Sequence, residues 1–193
     1  MSGGVEAPLE IVGLVGSLRA RSYNRMLFRA ACELAPASLS VQEVEIGGLP
    51  LYNADLDTDD GRPDPVVRLR SAVASADGVL IVSPEYNHAV PGVLQNAIDW
   101  ASRPGMRSPF RDRPVGFMGA SGGLIGTARG QQHLKLVLMS MLALPMPHPG
   151  ILVTRASTRF DETGVLVDEP SREMLADYMT AFDAWIRRVR ISG

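Results

Sequence analysis

The feature that most constrains this chain is the regular exchange of short apolar runs with amphipathic stretches. Five runs, Glu10 to Val15, Val41 to Ile46, Gly78 to Ser83, Val115 to Ala120 and Ile151 to Thr154, read as strands buried on both faces. Between them apolar residues recur at helical spacing, first in Met26, Leu27, Ala30, Ala31 and Leu34, then in Val93, Leu94, Ala97, Ile98 and Ala101. A weaker helical pattern covers 63–75, and a long helix is expected from about Arg129 to Leu144. The last helix carries Met174, Leu175, Tyr178, Met179, Phe182, Trp185, Ile186 and Val189 on one stripe, with Pro170 suited to its first turn. Such alternation predicts a parallel sheet covered by helices on both faces, because each right-handed crossover returns the chain to the same end of the sheet. Five units suit a three-layer α/β sandwich with a five-stranded sheet in the order 2-1-3-4-5. There the chain reverses direction between strands one and three and opens a crevice at their carboxyl ends. The loops after strands one, three and four should therefore carry the chemistry.

A chain of 193 residues suits one such domain, read as 1–193 with a flexible start at 1–8. Its 21 acidic residues outnumber 19 scattered basic ones, so the electrostatic footprint of a nucleic-acid binder is missing. Cys32 is the only cysteine, which rules out an internal disulfide and a cysteine-based metal site, and its helical pattern makes it a core residue. The start, MSGGVEAPLE, lacks the basic and apolar regions of a signal peptide. The longest apolar stretch, Leu136 to Met146, is broken by Ser140 and Pro145 and is too short to span a bilayer. A cytoplasmic protein without membrane or metal is expected.

After strand one the chain reads Gly16-Ser17-Leu18-Arg19-Ala20-Arg21-Ser22-Tyr23-Asn24 and enters a helix at once. Short hydroxyl and amide side chains, a cation and the free N–H groups of a helix start are the donors a phosphate monoester needs. The helix dipole adds favourable potential there. Ser17, Arg19, Ser22 and Asn24 can serve the phosphate oxygens together, whereas simple capping by Ser22 or Asn24 accounts for only one of them. Lys135 is the sole lysine and no GxGxxG follows strand one, which argues against a nucleoside triphosphatase and a dinucleotide fingerprint.

After strand three comes Ser83-Pro84-Glu85-Tyr86-Asn87-His88-Ala89-Val90-Pro91-Gly92, whose prolines restrict the backbone. Tyr86 can pack beside a flat heterocycle or at a core or subunit contact. His88 has no identifiable carboxylate partner and reads as a surface or subunit-contact residue. After strand four, Gly119-Ala120-Ser121-Gly122-Gly123 lets the backbone approach a ligand and offers N–H donors. The same residues satisfy GxSxG. A serine hydrolase of that type needs an acid and then a histidine after the serine, and no Asp or Glu lies between Ser121 and His133 or His148.

GSLRARSYN after strand one, LPLYNADL after strand two and SPEYNHAVPGVLQNAIDW after strand three together resemble the NADPH-dependent FMN reductase family. That family includes relatives that reduce azo dyes, quinones and chromate. The resemblance covers nearly the whole chain and implies a flavodoxin-like fold, bound FMN, and NADPH or NADH as electron donor. It implies Ser17, Arg19, Ser22, Tyr23 and Asn24 at the FMN phosphate, and Pro84, Glu85, Tyr86 and Asn87 at the isoalloxazine ring. Ser121, Gly122 and Gly123 would lie on the ring's other polar edge. Hydride chemistry would reside at FMN N5, so no side chain is assigned a catalytic role. A homodimer or homotetramer is also implied, with flavin near the subunit boundary and the apolar Leu134 to Leu144 helix as a candidate contact. The segment from Met106 to Arg113, which varies in such enzymes and bears on substrate access, receives no assignment.

The expected activity is electron transfer from NAD(P)H through FMN to a small acceptor, which is a flavin, a quinone, an azo compound or a metal oxyanion. The alternative is a flavodoxin-type electron carrier without NAD(P)H activity. Such carriers are strongly acidic, and the net charge here is -2. A regulatory domain that uses the same sheet without flavin is the third reading.

Overall fold

The computed structural model describes residues 7–190; of the flexible start expected over 1–8, residues 1–6 lie outside it. Its centre is a parallel sheet of β1 (Leu9–Val15), β2 (Leu39–Glu43), β3 (Gly78–Val82), β4 (Pro114–Ala120), β5 (Leu144–Pro145) and β6 (Ile151–Val153). The strand order is β2-β1-β3-β4-β5, with β6 also paired to β4. Helices α1 (Tyr23–Leu34), α2 (Asp64–Ser75), α3 (Gly92–Ala101), α4 (Ala128–Met139) and α5 (Glu169–Val189) cover both faces, giving the flavodoxin-like arrangement.

Successive side chains of a strand point to opposite faces, so each central strand feeds two cores. Leu80 and Val82 join Ile11, Val15 and Met118 beneath Leu27 and Phe28 of α1 and Leu175, Met179 and Phe182 of α5. Val79 and Ile81 join Val12, Leu14, Val115 and Phe117 against Leu69 of α2, Leu94 and Ile98 of α3, and Leu134 of α4. Both β3 and β4 are buried along their whole length, which is why they read as unbroken apolar runs. Cys32 packs at the edge of the first core, where burial pushes its thiol up to about 11 and leaves it inert at neutral pH.

The structure corrects several boundaries. The second strand is Leu39–Glu43 rather than Val41 to Ile46, and Ile46 is buried in the second core from beyond the strand's end. The fifth sheet position is shared by two segments: Leu144 and Pro145 pair with Pro114 and Val115, and Ile151 to Val153 pair with Met118 to Ala120. Between them the chain detours, and the N–H of Phe117 donates instead to the buried hydroxyl of Tyr178 at 2.7 Å. Burial drives the Tyr178 pKa upward, so that hydroxyl stays neutral. Helix α4 stops at Met139 instead of reaching Leu144, and Leu142 adopts φ of 61° in the turn into β5. In the segment from 106 to 113, which received no assignment, Phe110 is fully buried in the second core and its N–H donates to the Ser108 hydroxyl at 3.2 Å. No helix among the described residues is long and apolar enough to cross a membrane.

Candidate functional site

The register brings three loops to one place. Val15 pairs with Val82, and Val82 with Met118, so β1, β3 and β4 release their chains side by side at the carboxyl edge of the sheet. There the loops enclose an open crevice of about 340 Å³. It is lined by Ser17, Arg19, Ser22, Tyr23 and Asn24 from the first loop and helix start, Pro84, Glu85 and Tyr86 from the second, and Ala120, Ser121 and Gly122 from the third. Of the residues singled out in the sequence, Asn87 and Gly123 do not line it. Ala120, the last residue of β4, does, and nothing in its apolar run marked it out.

The first loop is rich in unengaged donors. Gly16 still follows the sheet, its N–H donating to Val82 at 2.9 Å. Among the described residues the N–H groups of Ser17, Leu18 and Arg19 then find no acceptor, and neither does the buried Ser17 hydroxyl. Ser22 is the N-cap of α1, its oxygen accepting from the Asn24 N–H at 3.2 Å, so its own proton is free to point into the crevice. Arg19 lies over the Tyr23 ring, 5.6 Å from its centre, and donates to the Arg21 carbonyl at 2.5 Å. Asn24 lines the crevice, and its side chain also ties the first loop to the third. Past the last β3 contact, where Ser83 N–H meets Met118 C=O at 3.0 Å, β4 continues without that neighbour. The Asn24 amide takes the missing strand's place, donating to the Ala120 carbonyl and accepting from the Ala120 N–H, each at 2.9 Å.

The second loop is a tight turn. Tyr86 and Ala89 exchange hydrogen bonds of 3.2 and 3.0 Å around Asn87 and His88, which have φ of 51° and 65°. Two consecutive left-handed residues define a type I′ turn, a conformation that asparagine tolerates and histidine adopts at some cost. The turn leaves Tyr86 at the rim, 53% exposed. Glu85 faces the other way: its side chain caps α4 from outside, accepting from the Gly130 N–H at 2.8 Å where the helix dipole favours a negative charge. The fold thereby supplies the partners that sequence did not reveal for His88, whose Nδ1 lies 3.3 Å from Glu85 Oε1 and 2.6 Å from Arg129 Nη1.

The third loop uses its glycines in two ways. A Cβ at Gly119 would fall 2.4 Å from the Ser83 carbonyl and 2.2 Å from Thr127 Oγ1, so this glycine lets the loops pack together. A Cβ at Gly122 would meet no atom within 4 Å, so the space above it is open to a ligand. The Ser121 N–H is held by Val153, and its hydroxyl accepts from Gly123 N–H at 2.9 Å, with no histidine bonded to it among the described residues. The crevice thus offers several N–H and O–H donors with a cation at one end, and a tyrosine rim facing a bare backbone at the other. Such a set can hold an anion and a flat ring joined to it.

Residues 9–158 match the family described as NADPH-dependent FMN reductase. An NAD(P)H-dependent FMN reductase of Pseudomonas aeruginosa is 40% identical over 182 residues, which are 94% of this chain and 97% of that protein. A 2-hydroxy-1,4-benzoquinone reductase of a Burkholderia species is 42% identical over 183 residues, 95% of this chain and 99% of the relative. In three dimensions, the flavoenzyme NAD(P)H:(acceptor) oxidoreductase FerB of Paracoccus denitrificans has a TM-score of 0.85 at 34% identity, with 93% of this chain and 98% of that one covered.

Proposed function

Because this chain belongs to the NADPH-dependent FMN reductase family, we propose that the crevice is its FMN site and that a small quinone is its electron acceptor. The protein is an NAD(P)H-dependent oxidoreductase with FMN as cofactor. When bound, FMN supplies the redox chemistry, taking two electrons from a reduced nicotinamide and passing them to the acceptor.

The residues present fit that group. The observation that carries the reading is one loop that holds unpartnered N–H groups at Ser17, Leu18 and Arg19 together with the Ser17 hydroxyl, the Ser22 hydroxyl and the Arg19 guanidinium, with Ser17, Arg19 and Ser22 lining the crevice. A phosphate has the oxygens to accept from all of these, and a neutral ligand does not. Tyr23 backs Arg19, and Asn24 fixes the distance between the first loop and the third. Pro84 and Tyr86 border the ring, Asn87 forms the turn behind Tyr86, and Glu85 holds that turn against α4 through its carboxylate. Ser121 and Gly123 shape the backbone around Gly122, whose open face admits the ring's polar edge. No side chain here is assigned as acid or base. The protein's part is to orient the ring, place donors beside it and leave one face accessible to NADPH or NADH and then to the acceptor.

The quinone assignment draws on the benzoquinone-reducing relative, which is aligned over nearly its whole length. A homodimer or homotetramer goes with this reading: Leu136 and Met139, three residues apart on α4, are 70% and 59% exposed, apolar side chains that a second copy would cover. A cytoplasmic location goes with the same reading, since reduced nicotinamide is at hand there. The test is an anaerobic visible spectrum of the purified protein with NADPH and NADH, followed by a benzoquinone. Flavin bleaching by the nicotinamide and recovery on quinone addition are expected. A bound flavin that neither nicotinamide reduces would replace the reductase reading with that of a carrier.

A further inference from the structure

A hairpin far along the chain reaches back to the first loop. Phe160 and Leu166 pair as its two arms, and both are buried in the first core. Asp161 ties its tip, accepting from the N–H groups of Thr163 and Val165 at 2.9 Å each and from the Thr163 hydroxyl at 2.7 Å. Arg159 closes its base by an ion pair with Asp168, the N-cap of α5. The hairpin is therefore a stiff element anchored in the core, and it lies beyond the residues 9–158 that match the family.

Two of its residues touch the loop. The Phe160 ring stacks on Tyr23 with centres 5.9 Å apart and planes at 25°, and Tyr23 in turn carries the Arg19 guanidinium. The Glu162 carbonyl accepts from Arg21 Nη2 at 3.2 Å. Arg19 and Arg21 are themselves joined through the Arg21 carbonyl. A recess of about 440 Å³ lies between hairpin and loop and shares Arg19 and Tyr23 with the crevice, so on this side the loop's contacts to the hairpin are those of Tyr23 and Arg21.

We propose that the Phe160 to Leu166 hairpin is a clamp that sets Arg19 in position for the FMN phosphate, with Phe160 and Arg21 as positioning residues. This rests on the reading of the first loop as the phosphate site. An arginine on a free seven-residue loop between β1 and α1 would lose side-chain and backbone freedom on binding, and a loop fixed beforehand avoids that loss. The clamp acts on the phosphate end alone, because neither residue borders the part of the crevice assigned to the ring.

The test compares FMN with riboflavin, which has the same ring and no phosphate, by fluorescence titration of the full-length chain stripped of flavin. Wild type should bind FMN at least a hundredfold more tightly than riboflavin. Phe160→Leu keeps an apolar side chain in the core and removes the stack, while Arg21→Ala removes the outer tie at an exposed position and leaves the core intact. Each should weaken FMN by about tenfold and change riboflavin by less than twofold, and Phe160→Tyr should restore FMN binding. Unchanged FMN affinity in Arg21→Ala, or equal losses for both flavins, overturns the clamp. A wild type that holds riboflavin as tightly as FMN overturns the phosphate site itself and the clamp with it.

Discussion

Replacing Asn24 by alanine tests how the crevice is held open. The side chain is 3% exposed, and its two 2.9 Å bonds satisfy both backbone groups of Ala120, which is itself 2% exposed. Beyond the end of β3 no strand can take over these bonds. A buried polar group left without a partner costs about 1–3 kcal/mol, so the two together should cost about 2–6 kcal/mol. For a chain of this size each kcal/mol moves the melting temperature by about 2–4 °C, which gives a fall of about 4–24 °C. Asn24→Asp separates bonding from packing: it keeps the volume and the acceptor but sets an oxygen against the Ala120 carbonyl where the amide nitrogen stood. It should be destabilised as well. Urea unfolding and thermal melts followed by circular dichroism on the flavin-free chain measure both. A loss under about 1 kcal/mol for Asn24→Ala, or an Asn24→Asp variant as stable as wild type, would refute the account of Asn24 as a substitute strand.

Other outcomes follow from the same geometry. Arg19→Ala should weaken FMN binding by about 1.5–3 kcal/mol, the range of a hydrogen bond to a charged group, with no change in melting temperature of the flavin-free chain; calorimetric titration reads the first and a melt the second. Gly122→Ala should leave the flavin-free chain within about 0.5 kcal/mol of wild type, since the methyl meets no protein atom, yet lower FMN affinity by filling the open space. Equal FMN affinity in that variant would move the ring elsewhere. The Asp168 carboxyl is held below its ordinary pKa by the Ser171 hydroxyl and then by Arg159. A depressed folded value contributes stability that is complete above the unfolded carboxyl range near pH 4 and fades as pH falls through the folded value. Asp168→Asn, measured by urea unfolding from pH 6 to 3, should therefore lose less stability over the acid end of that range than wild type does.

The central sheet was legible because β3 and β4 are buried on both faces, so their sequences carry no polar interruption. The edges were harder. Ile46 is apolar because it packs into a core, and nothing local distinguishes that from strand membership. Leu142 bends the chain out of α4 in a left-handed conformation without a glycine to announce it, so the apolar run into Leu144 read as helix. The three loops were expected from topology and the donors of the first from their chemistry, whereas the ring residues of the second and third were implied by the family resemblance. What each side chain bonds was not legible. Asn24 meets Ala120 across 96 residues of sequence, and Glu85 meets Gly130 across 45, contacts that only the folded sheet creates. The hairpin behind Tyr23 escaped notice for the same reason, because Phe160 is an ordinary apolar residue until α1 is packed beside it.

The most direct measurement of the central claim is a crystal structure of the chain grown with FMN. The phosphate should lie within hydrogen-bond distance of the Ser17, Leu18 and Arg19 N–H groups, and the ring should rest between Tyr86 and Gly122. Flavin density at another surface, or a phosphate that contacts none of the first loop, would contradict the account.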